Sequence, residues 1–227
     1  ATDLLKTRTL DADSHLPIAL GAAIETEAKA MVATGQRASA IVLLQDQLKQ
    51  YRNTSIRTRL QKNINLLTLE GKRAPAFTAT EFLGAPMPKL RGHPTLLFFW
   101  AHWCPDCKAE APIVADLMKT YGPRGLQVVG PTQRYGYVAG RSSAPPDVEK
   151  TYIEQIRQQY YGAIEGMAVP LSNEDCLAWG MDATPTMALV DRNGIVTLYH
   201  PGKMTREELE PRIKAVLAPR GTTRSQN

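Results

Sequence analysis

Phe98-Phe99-Trp100-Ala101-His102-Trp103-Cys104-Pro105-Asp106-Cys107-Lys108 is the stretch on which the reading of this chain turns. An apolar run ends in Trp-Cys-x-x-Cys and then becomes polar and helix-like, with Pro112 following five residues after the second cysteine. Two thiols at this spacing, at a strand-to-helix junction, can close a small disulfide ring. The first also sits where unpaired helix N–H groups favour a thiolate. The rest of the chain is expected to hold, cover or address this dithiol.

Working outward, Thr95 to Ala101 forms an unbroken apolar run of strand length, which suits a central strand covered on both faces. After the cysteines, Glu110, Ile113, Val114, Leu117, Met118 and Tyr121 mark a helix ending at Gly122-Pro123. Leu126 to Gly130 is the next buried strand, completing a strand–helix–strand crossover. Residues 131 to 146 are rich in Gly, Ser and Pro and include Tyr135, Tyr137 and Arg141. A loop this long inside a compact domain is functional or mobile. Asp147 is expected to cap a helix in which Val148, Tyr152, Ile156 and Tyr160 repeat every four residues. Ala168 to Leu171 reads as a short strand and Glu174 to Trp179 as a short helix. Two apolar runs, 187–191 and 195–199, flank Asn193-Gly194, a strong hairpin signal. Thr205-Arg206-Glu207-Glu208 is a capping box opening a last helix to about Leu217, and residues 219–227 form a polar tail expected to be disordered.

Upstream, Phe77 to Phe82 has strand-like content, with a weaker strand expected at Met87 to Leu90. The first 70 residues differ in character. After a polar start to about residue 13, apolar residues recur at helical spacing in three segments separated by Gly35-Gln36 and Arg52-Asn53. The third is clearest: Ile56, Leu60, Ile64 and Leu67. A small helical cap or partner-docking unit is expected, with no fixed-period repeat.

The chain has 227 residues, 43% apolar and 22% charged, enough to bury a substantial core, and carries a formal net charge of +5. Its basic residues are scattered rather than concentrated on one element, which speaks against nucleic-acid binding. Three cysteines are too few for a disulfide scaffold. No run of 18 apolar residues marks a membrane span. The chain starts Ala-Thr-Asp, so a trimmed form lacking its signal segment is expected.

Several blocks together are similar to the thioredoxin superfamily and, within it, to the TlpA/ResA-like extracytoplasmic thiol-disulfide oxidoreductases. They are Ala74-Pro75-Ala76-Phe77, Phe99 to Cys107, Lys108-Ala109-Glu110-Ala111-Pro112, Thr184-Pro185-Thr186 and Leu189 to Gly194. The resemblance implies an α/β thioredoxin-like fold over residues 71–218, with a mixed sheet flanked by helices and an inserted loop and helix at about 131–166. Residues 1–70 lie outside it. It also implies that Pro185 is cis and packs beside the cysteines.

For the site, Cys104 is the expected attacking thiolate, its sulfur reaching solvent, and Cys107 resolves the mixed disulfide. Zinc would need two more ligands, and Cys176 with scattered histidines is a poor second pair, so no metal is expected. No cofactor beyond the Cys104–Cys107 disulfide is expected. Asp106 either disfavours the thiolate, making a better reductant, or simply suits the first turn of a helix. Six residues before Cys104, where ordinary thioredoxins carry a buried acid, this chain has Phe98. Glu110 stands where the TlpA/ResA-like members carry an acid near the dithiol, so the resemblance makes it the candidate for tuning the thiols or accepting a proton, the alternative being a solvated helix-face carboxylate. Trp103, Pro105, Thr184 and Pro185 are expected to form the client-docking surface. Trp100 is expected in the core and His102 as an exposed loop histidine without a role, the alternative being an influence on thiolate stability. Cys176 reads as a small buried hydrophobe, with a resolving or regulatory role as the alternative.

The function expected is a thiol-disulfide oxidoreductase, a reductase rather than an oxidant, acting on protein clients outside the cytoplasm. Its upstream electron donor can be membrane-associated. A thiol peroxidase is the second reading, opposed by Ala101 where peroxidases place Thr. A helical partner-binding module on a thioredoxin scaffold is the third.

Overall fold

The computed structural model describes residues 9–218. Three helices come first, α1 (Leu16–Ala33), α2 (Arg37–Gln50) and α3 (Arg57–Thr68). Pro17 lies in the first turn of α1, where its missing N–H goes unnoticed. Leu16, Leu20, Ile24 and Ala28 follow the four-residue rhythm of one helix stripe. They meet Ala40 and Leu44 of α2 and Leu60 and Ile64 of α3 in a core of their own. Leu10 joins that core, and the Asp11 carboxylate accepts from both the N–H and the hydroxyl of Ser55. The polar start is thus held, from Thr9 on, by one apolar anchor and the Asp11–Ser55 hydrogen bonds. Burial opposes ionisation of Glu25, but Lys29, Arg59, Lys62 and Asn63 more than offset it and bring its pKa down to about 2.

The second part is a six-stranded mixed sheet in the order β1-β4-β3-β2-β5-β6. Its elements are β1 (Phe82–Gly84), β2 (Thr95–Phe99), α4 (Pro105–Tyr121), β3 (Gln127–Val129), α5 (Pro146–Ile156), β4 (Ala168–Pro170), α6 (Asn173–Ala178), β5 (Thr186–Val190), β6 (Val196–Pro201) and α7 (Arg206–Leu217). β2 runs parallel to β3 and antiparallel to β5. Every residue of β2 is buried, and its side chains alternate between two cores. Leu96 and Phe98 face Val114, Leu117 and Ile213, while Leu97 and Phe99 face Cys176 and Trp179. That is why the sequence of β2 is continuously apolar rather than alternating. Each fully buried Leu or Phe contributes about 1.5–3 kcal/mol, and this strand holds four of them.

Three local expectations are corrected. Residues 77–81 are not a strand. Phe77 stacks on Trp179, ring centroids 6.1 Å apart, and the N–H groups of Thr78 and Ala79 both donate to the Asp175 carboxylate. A side chain thus satisfies the backbone that a ladder would otherwise occupy, and pairing starts only at Phe82, opposite Pro170. Met87 to Leu90 forms no strand either; Met87 and Leu90 pack onto the Trp179 core instead. Asp147 does not cap α5, because Pro145 is the cap residue and Pro146 opens the helix. One turn of π-helix, Arg157–Tyr161, extends α5. The Thr205–Glu208 capping box is present. The tail at 219–227 lies outside the described residues.

The helical unit meets the sheet part through α3. Asn65 Nδ2 donates to the Ala178 carbonyl at 3.1 Å. Lys62 pairs with Asp182 at 2.9 Å, and Glu70 accepts from the Tyr199 N–H at 3.0 Å. Gly180 permits the closest approach. It has φ +64°, and a Cβ there would lie 2.6 Å from the backbone of Lys62. Gly180→Ala is therefore expected to destabilise the protein by more than about 2 kcal/mol, combining left-handed strain with a backbone collision. Urea unfolding checks this; a loss below about 0.5 kcal/mol would show that the two backbones do not depend on this contact.

Candidate active site

β2 delivers the chain into α4 within six residues, and that short junction carries the dithiol. Cys104 is the cap residue of α4, with extended backbone (φ −75°, ψ 112°), and its sulfur accepts the Cys107 N–H at 3.0 Å. A sulfur placed on the N–H groups of a 17-residue helix stands in the positive end of its dipole. Cys104 and Cys107 are joined in a disulfide, Cα atoms 5.3 Å apart, so the site is in its oxidised form. Cys104 is 1% exposed and Cys107 is fully buried. The expectation that the first sulfur reaches solvent freely is not met. Its Sγ lies 3.5 Å from the Thr184 carbonyl, and the bond before the buried Pro185 is cis.

The structure gathers the other candidates around this pair. Pro105 and Trp103 are exposed on the rim, Trp103 at 45%. Thr184 is half-buried beside Cys104, and its hydroxyl has no hydrogen-bond partner among the described residues. Glu110 lies one turn along α4 from Cys107, on the same face, and is 3% exposed. It is not the solvated carboxylate allowed as an alternative. The Met204 N–H donates to it at 3.2 Å. Burial pushes its pKa up; Met204 and Lys203 pull the other way, and Asp106 and Glu208 add to the rise. Asp106 itself is exposed and pairs with Lys203 at 3.1 Å, so its charge faces a cation rather than the thiols alone. Phe98 is buried against Tyr161, leaving no acid beneath the site at that position. Trp100 is core, its indole N–H donating to the Gly130 carbonyl at 2.9 Å. Cys176 is buried, and burial raises its pKa strongly.

His102 is the clearest correction. It is 1% exposed, not a loop histidine in solvent. Its Nε2 lies 3.3 Å from Glu149 Oε1, and its ring is enclosed edge-on by Tyr135, Tyr137 and Tyr152, centroids 5.2–5.4 Å away. Burial lowers its pKa, with Glu149 countering in part. Glu149, equally buried, also accepts the N–H groups of Tyr135 and Gly136. Neither Glu149 nor the tyrosine cluster was singled out from sequence. The only local signal was the run of tyrosines bracketing an acidic first turn of α5.

A mixed sheet of this topology with a cysteine pair capping the helix after its central strand defines a dithiol oxidoreductase. The comparisons with known proteins agree. Residues 71–133 match the AhpC/TSA family. The thiol-disulfide oxidoreductase ResA of Bacillus thuringiensis is 26% identical over 148 residues, 64% of this chain and 78% of its own. The thiol:disulfide interchange protein DsbE of Xylella fastidiosa is 27% identical over 154 residues, 66% and 70% of the two chains. A thioredoxin-like protein solved in its oxidised form superposes with a TM-score of 0.52 at 20% identity, covering 66% of this chain and 97% of that one. The chain has a thioredoxin-like fold and, with its paired cysteines and its similarity to these enzymes, is an oxidoreductase of the thiol-disulfide kind.

The buried Glu110 yields a pH test. A carboxyl whose folded pKa is raised binds its proton more tightly in the folded state. Its contribution is therefore fully present below the unfolded value near 4.5 and is lost as pH rises through the folded value. Glu110→Gln keeps an acceptor for the Met204 N–H and removes the titration. The variant is expected to gain stability over the parent as pH rises from about 4 to about 7 and to show no gain near pH 4. Denaturant midpoints across that range check it; a constant difference would contradict the assignment.

Proposed function

We propose that the protein reduces disulfides in protein clients through a mixed disulfide on Cys104. The observation that supports this most is the burial of both cysteines, at 1% and 0% exposed, with the protonatable Glu110 one turn away. A neutral disulfide loses little by being buried, whereas a thiolate in the same place loses its hydration. That imbalance favours the disulfide form, so the dithiol gives up its electrons readily. The helix N-terminus and the Cys107 N–H moderate the effect at Cys104 and keep enough thiolate for attack.

In the reaction, the Cys104 thiolate attacks one sulfur of the client disulfide and the other client sulfur leaves as a thiolate. Cys107, deprotonated with Glu110 as the nearby acceptor, then attacks Cys104 Sγ. The client departs as a thiolate and the Cys104–Cys107 disulfide of this structure forms. Two electrons pass to the client, and a dithiol donor upstream restores the enzyme; that donor can be membrane-held. Trp103 and Pro105 provide the exposed rim for an extended client segment, with the cis Pro185 behind them, and Thr184, just before that proline, offers the segment its backbone groups. The resemblance to the TlpA/ResA-like enzymes supports work outside the cytoplasm. Among the described residues no helix is long and apolar enough to cross a membrane.

Replacing the resolving thiol tests the sequence of steps. Cys107→Ser should accumulate covalent adducts with disulfide-bearing proteins that dithiothreitol releases, while Cys104→Ser should accumulate none. Non-reducing gels followed by mass spectrometry read this out; adducts on Cys107 in the Cys104→Ser protein would reverse the assigned roles.

A further inference from the structure

Outside the dithiol itself, one buried polar cluster joins three separated pieces of chain. Glu149 stands in the first turn of α5. Its Oε1 accepts from Tyr135 N–H and lies 3.3 Å from His102 Nε2, and its Oε2 accepts from Gly136 N–H at 2.9 Å. One carboxylate therefore fastens the active-site turn, the long loop after β3, and α5. The cluster is shielded from bulk solvent, both His102 and Glu149 being 1% exposed. Buried charged groups held by several donors are costly to disturb.

The consequence reaches Trp103. Its ring stands edge-on to Tyr135, centroids 5.4 Å apart, and Tyr135 is the residue whose backbone Glu149 holds. Next to Trp103 in sequence, His102 is locked by the same carboxylate. Trp103 is thus fixed from both sides, by its neighbour in the chain and by the ring beneath it, while 45% of it stays exposed. An exposed indole would otherwise move among several rotamers and lose conformational entropy when a client bound.

We infer that Glu149, acting through His102 and Tyr135, is a positioning residue that pre-sets Trp103 for a protein client. The segment after β3 is therefore part of the client-recognition apparatus, although it never touches the sulfurs. This inference rests on the reading that Trp103 contacts clients. It predicts a division of labour: a small disulfide needs only the sulfurs, a protein disulfide needs Trp103 in place.

A double-mutant cycle on the full chain tests this, with dithiothreitol as electron source. Insulin serves as the protein disulfide and hydroxyethyl disulfide as the small one. Trp103→Ala is expected to raise KM for insulin about tenfold. Glu149→Gln, which keeps the shape but turns one acceptor into a donor, is expected to raise it several-fold. For Glu149→Gln kcat and the small-disulfide rate stay within about twofold, and the substitution adds nothing once Trp103 is Ala. If Trp103→Ala leaves the insulin KM unchanged, the underlying reading fails and the inference with it. If Trp103→Ala acts but Glu149→Gln does not, or adds in full to it, the inference alone is overturned. A parallel loss on the small disulfide also overturns it, showing general damage to the site. Should Glu149→Gln fail to fold, Tyr135→Leu removes the ring under Trp103 and keeps the backbone N–H for Glu149. The same selective rise in insulin KM is expected, and its absence rejects the inference.

Discussion

The Cys107 N–H reaches the Cys104 sulfur at 3.0 Å, and that contact needs a helix to begin within a residue of a cysteine that has just left a buried strand. β2 supplies the fixed end. Its five residues are buried between two cores, so the strand cannot slip without exposing two faces at once. Pro105 supplies the other end by opening α4 at the position where its missing N–H is harmless. Between these constraints the sulfur is placed on the helix N-terminus by backbone geometry alone. Everything chemical at the site modulates a position already set.

Two opposing influences then act on the sulfurs. The helix terminus and the Cys107 N–H stabilise negative charge at Cys104. Near-complete burial, the Thr184 carbonyl 3.5 Å away and the buried Glu110 oppose it. Asp106 would add to the second group, but Lys203 faces it at 3.1 Å, and exposed pairs of this kind are weak and salt-screened. The proposal that the protein is a reductase rests on burial outweighing the helix terminus in this balance.

Much of this was legible in the sequence wherever the signal is local. The apolar run of β2, the Asn193-Gly194 hairpin, the Thr205–Glu208 capping box and the stripe of α3 all depend on neighbours within a few residues, and all are where they were expected. The dithiol was legible for the same reason, whereas Glu110 was singled out through the family resemblance. What could not be read depends on partners far along the chain. His102 looked exposed because it stands in the turn after the apolar run of β2, and the groups that cover it lie far along the chain: Glu149, 47 positions away, and three tyrosines. Residues 77–81 looked like a strand because their composition is strand-like, yet Asp175, about a hundred positions on, captures their N–H groups. The fit of the helical unit likewise turns on Gly180, whose role appears only when Lys62 lies against it.

The reduction potential of the Cys104–Cys107 couple tests the central claim most directly, by equilibration with defined thiol–disulfide buffers. A buried dithiol that favours its disulfide is predicted to sit on the reducing side of about −200 mV, toward the thioredoxin region near −270 mV. A value near −120 mV, where strong dithiol oxidants lie, would contradict it and make the protein a disulfide donor.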